Sequence, residues 1–150
     1  MKVNRLDHIC IAVRDLDAAR RIWEPVLGKT APDDAYVDEA EQIRVARYRI
    51  GEVGFELMES TSPDGEVAKF IEKRGEGIML VSLNVDSTRQ AVDELTAQAY
   101  PIIGGLRPFR DGQFAFVHPT KMNGVLLEVI DDKGLQPEDR TSAPPTAPAD

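Results

Sequence analysis

The sequence is poor in cysteine and has no long apolar run. Its one cysteine, Cys10, excludes an internal disulfide within the 150 residues. No N-terminal apolar stretch is long enough for a signal peptide or a membrane span, so a cytoplasmic location is the default expectation. Residues 133–150 contain almost no large apolar side chains, which predicts a disordered tail because too little surface is available to offset the entropy of ordering.

Composition and charge limit the classes of partner. With 42% hydrophobic residues, a chain of this length has enough apolar surface for a sizeable core. The formal net charge of -8 repels nucleic acid and anionic lipid, so neither nucleic acid nor a membrane is an expected partner. A phosphate-bearing ligand would need a local basic patch.

A strand followed by a helix occurs twice. Apolar residues alternate over Asp7–Val13, which predicts a strand. Asp15 then predicts a helix N-cap, and Gly28 ends an apolar pattern with helical spacing at Leu16, Ala19, Trp23, Val26 and Leu27. Later, the segment GIMLVSLNV repeats the strand. Ser87 predicts the cap of a second helix, whose apolar face carries Val92, Leu95 and Ala99.

The spacing of the later strands indicates a duplication. Strand-like runs follow each helix: IRVARYRIG and VGFELME in the first half, FAFVHP and GVLLEVI in the second. One offset of 72 residues separates both His8 from Leu80 and Glu56 from Glu128. We therefore predict an α+β fold of two βαβββ modules, about residues 5–62 and 77–132 of a domain ending at 132. Their curved, mixed-to-antiparallel sheets would close around a cleft, within one chain or across a dimer.

Several segments resemble a known family. They are LDHICIAVRDLDAA, EQIRVARYRIGEVGFELME, KFIEKRGEGI and, most specifically, FAFVHPTKMNGVLLEV. The chain resembles the methylmalonyl-CoA epimerases of the vicinal-oxygen-chelate superfamily over about residues 5–132, and glyoxalase I more remotely. The resemblance implies a homodimer.

The resemblance also implies a metal site with one ligand replaced. The family's four ligands correspond to His8, Glu56, position 80 and Glu128, and position 80 is leucine here. Met79 lies on the opposite strand face from Leu80, and a thioether suits a hard ion poorly. Three ligands would remain for a divalent ion (Co, Mn, Ni, Zn or Mg), bound more weakly.

The family's chemistry needs two opposed bases and a site for coenzyme A. Epimerisation beside a thioester removes a proton from one face of a carbon and returns it on the other. The resemblance assigns these roles to Glu41 and Glu128. Lys121, with the backbone of its turn, would receive phosphates of an acyl-CoA, and Arg107 and Arg110 in a Gly-rich loop would add charge.

Each of these residues also has a purely structural interpretation. His8 at a strand start is also compatible with a purely structural residue, Glu56 with a solvent-facing side chain, and Glu41 lies in an acidic run typical of a solvated loop. The turn around Lys121 is also compatible with an ordinary hairpin connection. We interpret Arg44, Arg47 and Arg49, which do not share one face, as the solvated side of an edge strand.

Three functions compete. The leading hypothesis is a CoA-thioester epimerase or isomerase with a degenerate metal site. The alternative is a non-catalytic or metal-independent binding protein that sequesters a small molecule, which Leu80 favours directly. A ring-cleaving dioxygenase is set aside because it needs two histidines and a carboxylate around iron, and the second histidine, His118, lies in a turn.

Overall fold

The structure is a computed structural model that describes residues 1–133. The elements in chain order are β1 (Val3–Ala12), α1 (Leu16–Leu27), β2 (Asp34–Asp38), β3 (Ile43–Ile50), β4 (Val53–Ser60), α2 (Glu66–Arg74), β5 (Gly77–Val85), α3 (Thr88–Ala97), β6 (Ile102–Phe109), β7 (Gly112–Val117), a 3-10 turn (Pro119–Lys121) and β8 (Leu126–Ile130). The prediction of an α+β fold with two βαβββ modules is confirmed. The predicted tail, apart from Lys133, lies outside the described residues.

The chain divides into two compact units. The first unit is His8–Met79, and the second contains Met1–Asp7 and the described residues from Leu80 onward. In the first unit the strand order is β2-β3-β4-β1, with β1 parallel to β4 and the other pairs antiparallel. In the second unit the order is β5-β8-β7-β6, with β5 parallel to β8 and the other pairs antiparallel. Each unit therefore has a mixed sheet of the same design.

The strand register repeats with the offset found in the sequence. In the first unit, His8 is opposite Gly54 and Cys10 is opposite Glu56. In the second unit the residues 72 positions later are paired in the same way: Leu80 with Leu126 and Ser82 with Glu128. Residues 72 positions apart in sequence therefore occupy equivalent positions in the two parallel strand pairs.

Both helices that follow a parallel strand begin with the same two contacts. Asp15 accepts a hydrogen bond from the Ala18 N–H, and Ser87 accepts one from the Gln90 N–H, each at 3.1 Å. A carboxylate on the neighbouring strand end also accepts from the first helical N–H. These pairs are Leu16 with Glu59 at 3.0 Å and Thr88 with Asp131 at 2.9 Å. Both predicted N-caps are confirmed.

Helices α1 and α3 each cover one face of the sheet in their own unit. The first core combines α1 with odd residues of β1 and β4 and even residues of β3: Ile11, Val13, Leu16, Ala19, Ala46, Tyr48 and Leu57. The second core consists of Val85, Ala91, Ala115 and Val129. Two expectations are wrong. Val26 is 75% exposed, and Ala99 lies beyond the end of α3 in a left-handed conformation.

Two segments differ from the sequence interpretation. The stretch GGLRPFRDG is not a loop but most of strand β6 and its turn into β7, interrupted by a register shift between Ile103 and Arg107. Gly104 and Gly105 both have positive φ there, which hides the strand's alternation. Helix α2 was not predicted. Among the described residues, no helix has the length and apolar content needed to cross a membrane.

Candidate functional site

A buried donor group lies on the face of the first unit's sheet that α1 does not cover. Even residues of β1 and β4 point to that face, because the odd residues pack under α1. His8, Cys10 and Glu56 lie there, with one potential ligand atom from each within 4.8 Å of the others. All three are buried, and Cys10 is directly opposite Glu56 on the parallel strand pair. The structure thus brings together two predicted ligands and one residue that was not predicted.

Glu56 is bonded through both carboxylate oxygens. The Cys10 Sγ donates to Glu56 Oε1 at 3.2 Å. Arg47, directly opposite Glu56 on β3, donates from Nη1 to Oε2 in a short ion pair. The Glu56 side chain is 5% exposed and that of Arg47 is 26% exposed. The carboxylate therefore lies inside the protein, and its cation reaches the surface.

Gly54 makes room for the Arg47 side chain. A Cβ atom at position 54 would lie 2.5 Å from both Cζ and Nη2 of Arg47, which is far inside van der Waals contact. The interpretation of Arg47 as part of a solvated edge strand is therefore wrong, because β3 is flanked by β2 and β4. Arg44 does point to the other face, where it pairs with Glu59 at 3.0 Å.

Electrostatics keep Glu56 ionised. Burial raises the pKa of its carboxyl, but the interactions with His8 and Arg47 and the hydrogen bond from Cys10 outweigh burial. The pKa of Glu56 therefore lies below its ordinary value. A buried carboxylate held charged by a guanidinium is strongly stabilised as an anion and is a correspondingly weak base.

The donor set alone would suit a divalent ion, but its present bonding does not. Imidazole nitrogen, thiol sulfur and carboxylate oxygen are the ligands that Zn²⁺ and Co²⁺ accept. Here both Glu56 oxygens are engaged, one of them by a full positive charge on Arg47. An ion bound to Glu56 would have to displace that guanidinium. The group as it stands does not fit a divalent ion, and the metal-ligand roles of His8, Glu56 and Glu128 stay predictions.

The second unit keeps the repeated glutamate in different surroundings. Glu128 is buried and is opposite Ser82 on β5 and Phe116 on β7, the positions that Cys10 and Arg47 occupy around Glu56. Leu80, at the register position of His8, is also buried. The Ser82 Oγ is fully buried and makes no hydrogen bond to any residue in the described range. Of these register positions, only the glutamate is the same residue in both modules.

Glu41, the first predicted base, lies outside the donor group. It occupies the turn between β2 and β3, where its N–H donates to Asp38 Oδ1 at 3.1 Å. Arg47 on β3 lies directly opposite Glu56, and β3 begins four residues earlier, at Ile43. Four residues of antiparallel strand are ~14 Å long, so the turn that carries Glu41 is about that far from Glu56 along the sheet. The structure does not place Glu41 beside Glu56.

The three predicted coenzyme A contacts do not form one cluster. Arg107 on β6 stacks over the Phe116 ring at 5.3 Å, and Phe116 is opposite Glu128, so Arg107 and Glu128 share a sheet face. Lys121 follows the end of β7 and lies 5.5 Å from the Tyr100 ring. Arg110 precedes β7 and so lies at the opposite end of that strand from Lys121. Arg107 is the residue best placed to act with Glu128.

Sequence reasoning missed Cys10, Arg47 and Ser82. Cys10 and Ser82 each follow a singled-out position by two residues, so period-two alternation already put them on the same faces as His8 and Leu80. The register offset of 72 would have paired them with Glu56 and Glu128. No pattern of this kind in the sequence indicated that Arg47 would lie opposite Glu56.

Comparison with known proteins supports one family. The chain is 35% identical to the uncharacterized protein YqjC of Bacillus subtilis over 136 residues, covering 89% of this chain and 96% of YqjC. A hypothetical protein of Bacillus halodurans with a solved structure is 32% identical, with a TM-score of 0.80 over 90% of this chain and 99% of that one. An ethylmalonyl-CoA/methylmalonyl-CoA epimerase of Cereibacter sphaeroides is 29% identical over 132 residues, or 85% of this chain and 97% of that enzyme.

The family model of the Glyoxalase/Bleomycin resistance protein/Dioxygenase superfamily matches residues 5–129. That range spans almost all of both βαβββ modules and contains both repeated glutamates. The chain belongs to the Glyoxalase/Bleomycin resistance protein/Dioxygenase superfamily.

Proposed function

We propose that this protein is an epimerase-like isomerase that acts on an acyl-CoA thioester by removing and returning a proton. Its similarity to the Cereibacter sphaeroides ethylmalonyl-CoA/methylmalonyl-CoA epimerase over 97% of that enzyme's length supports the substrate class. The reaction breaks the C–H bond beside the thioester and leaves the electron pair on the carbon and thioester oxygen as an enolate. A proton then returns to the opposite face.

The observation that carries the proposal is the unequal surroundings of the two repeated glutamates. Glu56 is tied to Arg47 and Cys10, which lowers its basicity. Glu128 has Ser82 and Phe116 at the positions that Cys10 and Arg47 occupy around Glu56, so its neighbours on the adjoining strands differ from those of Glu56. We therefore assign one proton transfer to Glu128, whereas Glu56 holds Arg47 of its own module in place.

The second base and the coenzyme A contacts are taken from the resemblance. Glu41 is proposed as the second base. Arg107 is proposed to bind the substrate's carboxylate or phosphate, because it shares a face with Glu128. Lys121, exposed after β7, and Arg110 are proposed to contact the phosphates of the coenzyme A tail.

A divalent ion is the cofactor that the resemblance implies, and it would stabilise the enolate as a Lewis acid. Because Glu56 is already bonded to Arg47, no step is assigned to an ion here. A homodimer and a cytoplasmic location are also proposed from the sequence, and light scattering after gel filtration would test the dimer.

The proposal is tested by hydrogen exchange at the reacting carbon. Wild-type protein is expected to exchange the α-proton of methylmalonyl-CoA for deuterium in D2O, as followed by proton NMR. Glu128→Gln is expected to lower the exchange rate by about 100-fold or more, the usual contribution of a general base. Glu66→Gln on α2, where the side chain is 76% exposed, is the matched control and should exchange at the wild-type rate. Equal rates for Glu128→Gln and wild type would contradict the assignment.

A sequestering function is the second candidate, favoured by the buried Leu80 at the register position of His8. Under that function, calorimetry would detect binding of an acyl-CoA or another small molecule, while wild-type protein would catalyse no α-proton exchange.

A further inference from the structure

The residue that the proposed function leaves unexplained is Arg47. It lies opposite Glu56, its guanidinium is bonded to the carboxylate, and Gly54 leaves the space in which it lies. The contact between Arg47 and Glu56 depends on the glycine, because any side chain at position 54 would occupy the volume of the guanidinium. A cation is therefore bound at Glu56, and it is the guanidinium of Arg47.

We propose that Arg47 is the resident cation of the His8–Cys10–Glu56 group and that it excludes divalent metal ions from this group. The inference does not depend on the proposed reaction. The three donors have the identities and the mutual distances of a metal site. What prevents binding is competition for Glu56 Oε2, together with repulsion between an incoming divalent ion and the guanidinium.

The charges of the buried group support the same conclusion. Glu56 is buried, its carboxylate is bonded to the Arg47 guanidinium, and a ring nitrogen of His8 lies within 4.8 Å of a carboxylate oxygen. Adding a divalent ion beside Arg47 would leave an excess of positive charge in a buried region, where charges interact strongly. Removing Arg47 would instead leave a buried carboxylate without its guanidinium, next to a thiol and an imidazole, which a divalent ion would then compensate.

Metal binding by purified full-length protein tests the proposal directly. Equilibrium dialysis against Zn²⁺ with elemental analysis is expected to find no stoichiometric ion on the wild-type protein. Arg47→Gln is expected to bind one ion per chain, at least about 100-fold more tightly than wild type, a change equivalent to about 2.7 kcal/mol. Arg44→Gln is the matched control, because Arg44 lies on the same strand and pairs with a glutamate on the other sheet face. Its metal binding should equal that of the wild type.

Two further measurements keep the result interpretable. In Arg47→Gln loaded with Co²⁺, a thiolate-to-cobalt absorption band should appear and should be lost when Cys10→Ser is added. If Arg47→Gln does not fold, the test uses wild-type protein instead: Zn²⁺ should leave the NMR signal of the Arg47 Nε–H unchanged.

The proposal is overturned if wild-type protein binds one ion per chain through Glu56. It is also overturned if folded Arg47→Gln binds Zn²⁺ no better than wild type, or if Zn²⁺ shifts the Arg47 signal stoichiometrically. None of these outcomes depends on α-proton exchange, so failure here is distinct from failure of the proposed function.

Discussion

Gly54→Ala should destabilise the protein only because Arg47 is present. The new methyl group would lie 2.5 Å from Arg47 Cζ, so the guanidinium must move by about 1 Å to restore ordinary carbon contact of ~3.5 Å. Since Arg47 is 26% exposed, the side chain is able to swing outward. We expect such a movement to break its bond to the buried Glu56 carboxylate.

The size of the effect follows from two opposing terms. A hydrogen bond to a charged group contributes about 1.5–3 kcal/mol. Replacing glycine by alanine inside a strand returns about 0.5–1 kcal/mol of chain entropy. We therefore expect Gly54→Ala to lower the free energy of unfolding by about 0.5–2.5 kcal/mol. In an Arg47→Ala background the first term is gone, so the same substitution should stabilise by about 0.5–1 kcal/mol.

Urea unfolding of the four proteins in this double-mutant cycle measures both values. A change of sign between the two backgrounds is the expected result. If Gly54→Ala destabilises the Arg47→Ala protein as much as it destabilises the wild type, the space at position 54 serves another contact and the argument is refuted.

Three further predictions concern the folded chain. Asp15→Ala and Ser87→Ala should each lower the free energy of unfolding by about 1 kcal/mol, because each removes one N-cap hydrogen bond; equal losses in urea unfolding would match their equivalent positions. Tyr48→Phe should cost about 1 kcal/mol, since its buried hydroxyl donates to Glu24 Oε2 at 2.7 Å, and an unchanged urea midpoint would contradict that contact. Because the folded-state pKa of Glu56 is lowered from 4.5, its stabilising contribution is present above 4.5 and is lost as pH falls through the lower folded value. The stability difference between wild type and Glu56→Gln should therefore shrink in acid.

The repeat could be predicted from the sequence because its signals are local. Alternation marks β1, an apolar run marks β5, and Asp15 and Ser87 mark the helix starts, so every marker depends on residues a few positions apart. The offset of 72 related equivalent positions of the two modules, and the strand register of the structure repeats with the same offset.

The cation at Glu56 could not be predicted because it depends on nonlocal pairing. Parity correctly separated Arg47 from Arg44, but β3 is not the edge strand that we predicted, because the short strand β2 (Asp34–Asp38) pairs with it. The contact between Cys10 and Glu56 likewise depends on the parallel register of β1 and β4. Sequence patterns within one strand do not specify which residue of another strand lies opposite.

The most direct test of the proposed activity is α-proton exchange by chelator-treated protein. Wild-type protein freed of divalent ions, mixed with methylmalonyl-CoA in D2O, should lose the α-proton signal by NMR at a rate proportional to protein concentration, and Glu128→Gln should slow this loss by about 100-fold or more. Absence of exchange by the wild-type protein, both after chelation and after addition of divalent ions, would contradict the account.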